Sequence, residues 1–146
     1  MPTKTLYCIR HGYALHNKLY HTMGTEAYTT FRDTHLLEEG YEQAKKMGKE
    51  YTELYNVNLV LVSPLSRTLE TSMMVYGHSN IPLICKDFLL EYPLGGAEIA
   101  NRRKDVDDLK VLFDSYRITY CTSDNAFKWS DERENINDLD VRINAM

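Results

Sequence analysis

Short apolar runs alternate with amphipathic stretches along this sequence of 146 residues. Three runs, at residues 5–9, 57–62 and 81–85, are too short for helices and predict β-strands. We expect the first two strands to be buried, because they are predominantly apolar and the second is rich in β-branched residues. Pro82 cannot donate a hydrogen bond to a neighbouring strand, so we expect the third strand at an edge of the sheet.

Helical periodicity accounts for most of the remaining chain. Apolar and small residues at steps of three and four predict an amphipathic helix over residues 38–55. A second helix is predicted after Ser63 and Pro64, which suit the N-cap and the first helical position, and Gly77 is expected to end it. Asp105 is expected to cap a short third helix, and a last helix is predicted to run to the end of the chain. This alternation predicts an α/β fold, a three-layer sandwich with helices on both faces of a mostly parallel sheet.

Residues 13–34 carry polar and aromatic side chains without a clean period. Two interpretations stay open for them: a loop that covers a substrate, or an irregular surface segment with a helical turn. His16, His21 and His35 lie in or beside this stretch. We expect them at surface or packing positions rather than as metal ligands, because none has partners at the spacing that a metal site needs.

Composition and charge exclude several classes of protein. A chain of 146 residues that is 43% hydrophobic predicts one domain, residues 1–146, with a core of its own. A net charge of -4 without a basic stripe argues against general nucleic-acid binding. No apolar run approaches the roughly 18 residues that cross a membrane.

Cysteine usage and the start of the chain indicate a reducing compartment. Cys8, Cys85 and Cys121 are odd in number and far apart, and they lack metal-ligand spacing. The start of the chain lacks the apolar core of a signal peptide. We therefore expect an intracellular, cytoplasmic protein with no membrane partner.

Arg10, His11 and Gly12 end the first apolar run and are the main candidates for chemistry. In open α/β sheets, ligands bind beyond the carboxyl ends of the strands, where this prediction places them. A neutral imidazole can attack phosphorus while a guanidinium holds the non-bridging oxygens. Gly12 is expected to let the backbone turn and approach a ligand closely. The pattern favours phosphoryl transfer.

Arg67 is the second candidate, because the predicted helix start places it in the first turn. Free backbone N–H groups and the helix dipole favour an anion there. The alternative is a surface salt bridge with Glu70 or Glu26. Glu91 follows two apolar residues and precedes a turn-forming stretch. We expect it near the strand ends, the alternative being a surface residue in water.

Two motifs give most of the chain a resemblance to a known family. They are Arg10-His11-Gly12 followed by Asn17, and Ser63-Pro64-Leu65-Ser66-Arg67-Thr68. Together they resemble the histidine phosphatase superfamily, the phosphoglycerate mutase-like proteins. Further matches indicate its plant and fungal branch: Asp33 with Leu36-Leu37-Glu38-Glu39-Gly40, Arg102-Arg103, and Trp129-Ser130-Asp131-Glu132-Arg133-Glu134.

The resemblance implies a phosphoglycerate mutase-like fold and a phosphatase that hydrolyses a small phosphomonoester through a phosphohistidine. It implies His11 as the nucleophile and Glu91 as the general acid. The acid role asks for a raised pKa, from burial or from the phosphate's own charge. Arg10, Arg67 and Asn17 are implied as phosphate-binding groups.

Arg102 and Arg103 resemble the branch's paired arginines, which are either substrate contacts or a solvated charge pair. Asp87 is a less favoured candidate for the acid. No metal and no cofactor are implied, because the arginines supply the positive charge. The resemblance names no substrate, and it leaves a phosphoglycerate mutase-type phosphotransferase as an alternative.

The sequence departs from the family's pattern at the second histidine, which the family carries on a strand after the last helix predicted here. None of His16, His21, His35 or His78 follows an apolar strand run. The chain is therefore expected to be a fragment, a shortened gene product or a chain completed by a partner, for example in a homo-oligomer. A catalytically weakened phosphate-binding or interaction module is the rival function.

Overall fold

The computed structural model describes residues 3–122 and 129–144, and a parallel sheet of three strands lies within them. The strands are β1 (Val60–Val62), β2 (Leu83–Cys85) and β3 (Ile118–Tyr120), in that order across the sheet. Both neighbouring pairs are parallel. The α/β class and the parallel sheet predicted from the sequence are confirmed.

Six α-helices lie within the described residues. They are α1 (Leu15–Met23), α2 (Glu26–Thr30), α3 (Glu38–Glu50), α4 (Ser66–Tyr76), α5 (Val106–Leu112) and α6 (Ile136–Asn144). Three 3₁₀ turns connect them: Thr52–Asn56, Asp87–Leu89 and Ile99–Asn101. No helix in the described part of the chain combines the length and the apolar character that crossing a bilayer requires.

One face of the sheet carries the hydrophobic core. The register places Val60 opposite Leu83 and Val62 opposite Cys85, so these four side chains share a face. Burial of a leucine such as Leu69, which is fully inaccessible, contributes about 2 kcal/mol relative to leaving it exposed. The core residues that α3, α4 and α5 place on this face include Ala44, Leu69, Met73, Val75, Tyr76 and Leu109. The core thereby fixes α4 against the sheet.

The order of the strands differs from the prediction. β2 is central, so the edge position predicted for it is wrong. Pro82 precedes the three paired residues, and its carbonyl accepts a hydrogen bond of 2.9 Å from Val60 N. Pro82 lies just outside the paired residues, so the absence of its N–H removes no hydrogen bond between β1 and β2. β3 has no counterpart among the predicted strands, because it is only three residues long and is not fully buried.

β1 lies at the edge of the sheet, which corrects the prediction that this run is buried. Leu59 and Leu61 are 43% and 47% exposed. Leu61 lies on the face opposite to the core, because side chains alternate along a strand. The helical layer predicted on this second face stays a prediction.

Residues 3–13 form neither helix nor strand, so the buried strand predicted at residues 5–9 is wrong. Leu6 is 84% exposed, and Tyr7 and Ile9 are exposed as well. A strand is stabilised by backbone hydrogen bonds to a neighbouring strand, and none of the described strands pairs with this run. The apolar composition of residues 5–9 could not show that no neighbouring strand for them lies within the described residues.

The helices follow the predictions more closely. Gly77 ends α4 as predicted. Asp105 occupies the predicted N-cap position of α5, but its side chain makes no capping hydrogen bond among the described residues. α3 stops at Glu50, short of the predicted end at residue 55, and a 3₁₀ turn continues the chain. The predicted irregular segment at residues 13–34 instead forms α1 and α2.

Candidate active site

His11 lies just before α1 with its imidazole partly buried. Its Nδ1 is 2.7 Å from the carbonyl oxygen of Gly12. A carbonyl can only accept, so Nδ1 carries the proton and Nε2 keeps its lone pair. Burial lowers the pKa of His11, against the Gly12 hydrogen bond, and the positive charges of Arg67 and Arg10 lower it further. The lowered pKa favours the neutral imidazole at neutral pH, in which Nε2 has an available lone pair.

The backbone around His11 is held by α3 and α4. Gly12 N donates to Thr71 Oγ1 at 3.0 Å, and Leu37 N donates to Tyr13 O at 2.9 Å. A Cβ on Gly12 would lie 2.4 Å from Gly40 O, and one on Gly40 would lie 2.2 Å from Tyr13 O. The close approach expected of Gly12 is therefore made to α3, and an approach to a ligand stays a prediction.

The start of α4 differs from the predicted one, because a distant side chain caps it. α4 begins at Ser66 rather than at the predicted Ser63 and Pro64. Ser66 N donates to Asp33 Oδ1 and Ser66 Oγ donates to Asp33 Oδ2, both at 2.8 Å. Asp33 is fully buried at φ 46°, the left-handed region that Asp tolerates better than most residues. Arg67 still lies in the first turn of the helix, as predicted.

Arg67 is fully buried and its guanidinium is held from several sides. Nη1 donates to Ala100 O at 2.9 Å, and Nη2 donates to Asn101 Oδ1 at 3.1 Å and to Glu91 Oε2 at 2.8 Å. Its Nε, also buried, has no hydrogen-bond partner among the described residues. A buried donor without a partner costs about 1–3 kcal/mol, so this Nε is an unsatisfied donor within the site.

The surface salt bridges considered for Arg67 do not form, since its carboxylate partner is Glu91. Glu70 is engaged elsewhere. It accepts hydrogen bonds from His35 Nδ1 at 2.6 Å and from Leu36 N at 2.7 Å. Tertiary structure thus brings together Arg67 and Glu91, the two residues that the sequence proposed as anion binder and acid.

Glu91 is half-exposed on the outer side of Arg67. Burial acts to raise the pKa of its carboxyl, but the hydrogen bond and the charge of Arg67 hold that pKa below its ordinary value. The raised pKa expected for a general acid is thus absent when no phosphate is bound. The carboxylate instead neutralises the buried guanidinium.

A charged residue far along the chain fixes the backbone beside Glu91. Arg142 of α6 donates from Nη1 to Phe88 O and to Leu90 O, each at 2.8 Å. Its Nε and Nη2 bind the two carboxylate oxygens of Glu134 at 2.7 and 2.8 Å. Glu134 in turn accepts a hydrogen bond from Leu94 N. Sequence reasoning missed Arg142, because nothing local relates it to Glu91.

Arg10 and Asn17, the other predicted phosphate-binding residues, have different surroundings. Arg10 is exposed, and among residues 3–122 and 129–144 it has no hydrogen bond or ion pair. Asn17 accepts a hydrogen bond from Ala14 N at its Oδ1 (3.0 Å) and lies 3.1 Å from His16 Nε2 through its Nδ2. His16 is 1% exposed, at a packing position, which was one of the two expected for it.

The two predicted arginine contacts are not equivalent. Arg103 is 1% exposed and binds Asp87 Oδ1 at 2.7 Å through Nε. Arg103 is therefore not part of a solvated charge pair. Its carboxylate partner is Asp87, the less favoured candidate for the general acid. Arg102 is exposed. Contact of either arginine with a substrate stays a prediction.

Comparison with known proteins identifies the family of this chain. The family described as "Histidine phosphatase superfamily (branch 1)" matches residues 6–145. The chain therefore belongs to the histidine phosphatase superfamily, which confirms the resemblance drawn from its motifs.

The relatives support the plant and fungal branch. A phosphoglycerate mutase-like protein of Arabidopsis thaliana is 24% identical, with 95% of this chain and 63% of that protein covered. A protein of Schizosaccharomyces pombe named as a probable phosphatase is 29% identical, with 85% and 56% covered. A crystal structure described as that of "a putative alpha-ribazole-5'-P phosphatase" from Escherichia coli shares the fold. Its TM-score is 0.55 at 22% identity, with 94% of this chain and 62% of that chain covered. The chain thus spans about 60% of the length of these proteins.

Proposed function

We propose that this chain hydrolyses small phosphomonoesters through a phosphohistidine on His11. The observation that supports this most is the neutral His11, whose Nε2 has no hydrogen bond among the described residues and which lies in the field of Arg67, Glu91 and Arg10. Superfamily membership supports phosphatase chemistry in general. Positioning and electrostatic stabilisation are what phosphoryl transfer requires of a protein.

The reaction proceeds in two steps. In the first, the Nε2 lone pair of His11 forms an N–P bond while the P–O ester bond breaks, and the departing oxygen takes a proton from Glu91. In the second, water attacks phosphorus, Glu91 takes back a proton from that water, and the N–P bond breaks to release inorganic phosphate. His11 and Glu91 thereby return to their starting protonation states.

Substrate binding must change the ion pair between Arg67 and Glu91. An incoming phosphate oxygen competes for the Arg67 donors and also meets its unpaired Nε. Glu91 then loses part of the positive charge that lowers its pKa and gains a negative neighbour, so its pKa rises. Glu91 therefore takes up a proton from solvent once phosphate occupies the site, donates it to the leaving oxygen, and returns a proton to solvent after phosphate departs.

The test is turnover of p-nitrophenyl phosphate together with detection of an acid-labile, base-stable phosphoryl adduct. His11→Ala is expected to abolish both while the melting temperature stays near that of the parent. His78→Ala is the matched control, because His78 is exposed and lies outside the site. Retained turnover in His11→Ala, or an adduct on another residue, would contradict the proposal.

The same experiment separates the alternatives. The names of relatives from Arabidopsis thaliana and Arthroderma benhamiae, which contain "phosphoglycerate mutase", favour phosphotransfer as the second candidate. Transfer of the phosphoryl group to an added sugar or glycerate hydroxyl instead of water would support it. Phosphate binding without an adduct would support the weakened binding module.

A further inference from the structure

Both ring nitrogens of His16 have hydrogen-bond partners, and two aromatic rings pack against its imidazole. It lies on α1, is 1% exposed, and its ring centroid is 5.6 Å from that of His11 at an interplanar angle of 62°. On another side it packs against the ring of Tyr28 at 5.3 Å. The mechanism above does not use this buried, titratable side chain.

The hydrogen bonds around His16 fix its tautomer. Asn17 Oδ1 accepts from Ala14 N at 3.0 Å, which orients the amide so that Nδ2 faces His16 Nε2 at 3.1 Å. Nδ2 can only donate, so Nε2 of His16 must accept and Nδ1 must carry the proton. Nδ1–H then donates to Thr34 Oγ1 at 2.5 Å. Both polar atoms of the buried ring are satisfied only in this neutral form.

Protonation of His16 would place two donors face to face at Nε2. It would also add a positive charge beside Arg67, His11 and Arg10. Burial, followed by the charges of Arg67 and His11, accordingly lowers the pKa of His16 to about 4. The ring is thus a permanent hydrogen-bond acceptor for Asn17 at neutral pH.

We infer that His16 is a positioning residue, whose neutral imidazole orients the Asn17 amide and packs edge-on against the His11 ring. This inference rests on the proposed roles of His11 and Asn17 at phosphate. One N–H of Asn17 is taken by His16, which leaves the second to be aimed at a phosphate oxygen. A ring held edge-on against His11 restricts the directions that Nε2 of His11 can take. Loss of one such contact to a charged ligand corresponds to about tenfold in affinity.

Three variants separate positioning from packing. His16→Phe keeps a ring but removes the acceptor, whereas His16→Gln supplies an amide oxygen near the position of Nε2. We expect His16→Phe to weaken inorganic phosphate binding about tenfold and His16→Gln to stay within about threefold of the parent. Tyr28→Phe retains the ring that packs on His16 and is expected to bind phosphate as the parent does.

The readouts do not depend on turnover. ¹⁵N NMR of the parent is expected to show His16 protonated at Nδ1 alone, and phosphate binding follows from titration of the His11 signals. Protonation of His16 at Nε2, unchanged phosphate affinity in His16→Phe, or equal losses in His16→Phe and His16→Gln would each overturn the inference. A parent that binds phosphate as expected but forms no adduct would instead contradict the proposed function alone.

Discussion

At the scale of single residues, Arg67 combines complete burial with an incomplete set of partners. Its Nη atoms bind two backbone or amide oxygens and Glu91, while Nε has none among the described residues. A guanidinium that is held in place by protein oxygens and keeps an unsatisfied donor is suited to a multiply charged oxyanion such as phosphate. The sequence correctly predicted Arg67 in the first turn of α4, but its burial and its partners depend on the folded chain.

Arg67→Lys is expected to lower kcat on the order of 100-fold, because an ammonium keeps the charge but not the planar fork of donors. Turnover of p-nitrophenyl phosphate measures the effect, with Arg117→Lys as the control, since Arg117 is exposed. An Arg67→Lys variant as active as the Arg117→Lys control would show that Arg67 does not contact the phosphate.

His16 predicts how stability depends on pH. Burial lowers its pKa from 6.5 to about 4 in the folded state, so the unfolded state binds the proton first as pH falls. The full stability is therefore present above pH 6.5 and decreases between pH 6.5 and about 4. The contribution of this one group to the loss approaches about 3 kcal/mol.

Urea unfolding of the parent and of His16→Gln over this pH window tests that expectation. The variant lacks the titrating imidazole, so its free energy of unfolding should fall less steeply as pH decreases. The two slopes should differ by the contribution of about one bound proton. Parallel profiles for the two chains would mean that His16 protonates as readily in the folded as in the unfolded state.

At the scale of elements, α3 holds the backbone of the His11 segment through a contact between two glycines. A Cβ on Gly40 would meet Tyr13 O at 2.2 Å, whereas one on Gly48 would meet only Tyr55 Oη within 3.4 Å, at 3.1 Å. The end of a tyrosine side chain can move by a few tenths of an ångström, but the backbone at Tyr13 cannot move without displacing His11. Two glycines of one helix therefore have different tolerances.

Gly40→Ala is expected to destabilise the fold by about 2 kcal/mol and to reduce turnover, because the His11 segment must shift. In the matched variant Gly48→Ala, higher helix propensity contributes up to about 1 kcal/mol, so its stability is expected to be unchanged or raised. Urea unfolding and p-nitrophenyl phosphate turnover of both variants give the comparison. Equal stabilities would show that the contact with Tyr13 yields easily.

At the scale of the whole molecule, the open side of the sheet is the main departure from a buried parallel sheet. β1 pairs with β2 alone among the described strands, and Leu61 is 47% exposed. Residues 3–9, which precede His11 in the sequence, are exposed and include several apolar side chains. Unpaired strand edges with apolar side chains favour association between chains. This is the physical basis for expecting a homo-oligomer.

We predict that the chain self-associates at micromolar concentration and that Leu61→Lys shifts it towards the monomer, because a charge on an edge strand opposes strand addition. Sedimentation velocity measures the distribution. Val111→Lys is the control, because Val111 is 76% exposed and apolar but lies on α5. A monomeric parent, or an equal effect of both substitutions, would contradict the role of β1.

Local rules in the sequence determined several features of this protein. The end of α4 at Gly77 and the start of α5 after Asp105 followed from the local sequence, since helix boundaries depend on neighbouring residues. His11 and Arg67 were proposed from their motifs and the chemistry of their side chains, and their roles at a phosphate stay predictions. The family resemblance depended on the same short motifs and is confirmed.

Tertiary structure decided what depends on residues far apart in the chain. The ion pair of Arg67 with Glu91, the capping of Ser66 by Asp33 and the central place of β2 all join distant segments. For the same reason, the sequence did not reveal that Arg67 lowers the pKa of Glu91, because this charge partner was unknown. A strand, a buried charge and a distant cap each need a partner, and a local pattern of apolar and polar residues does not specify which partner the fold supplies.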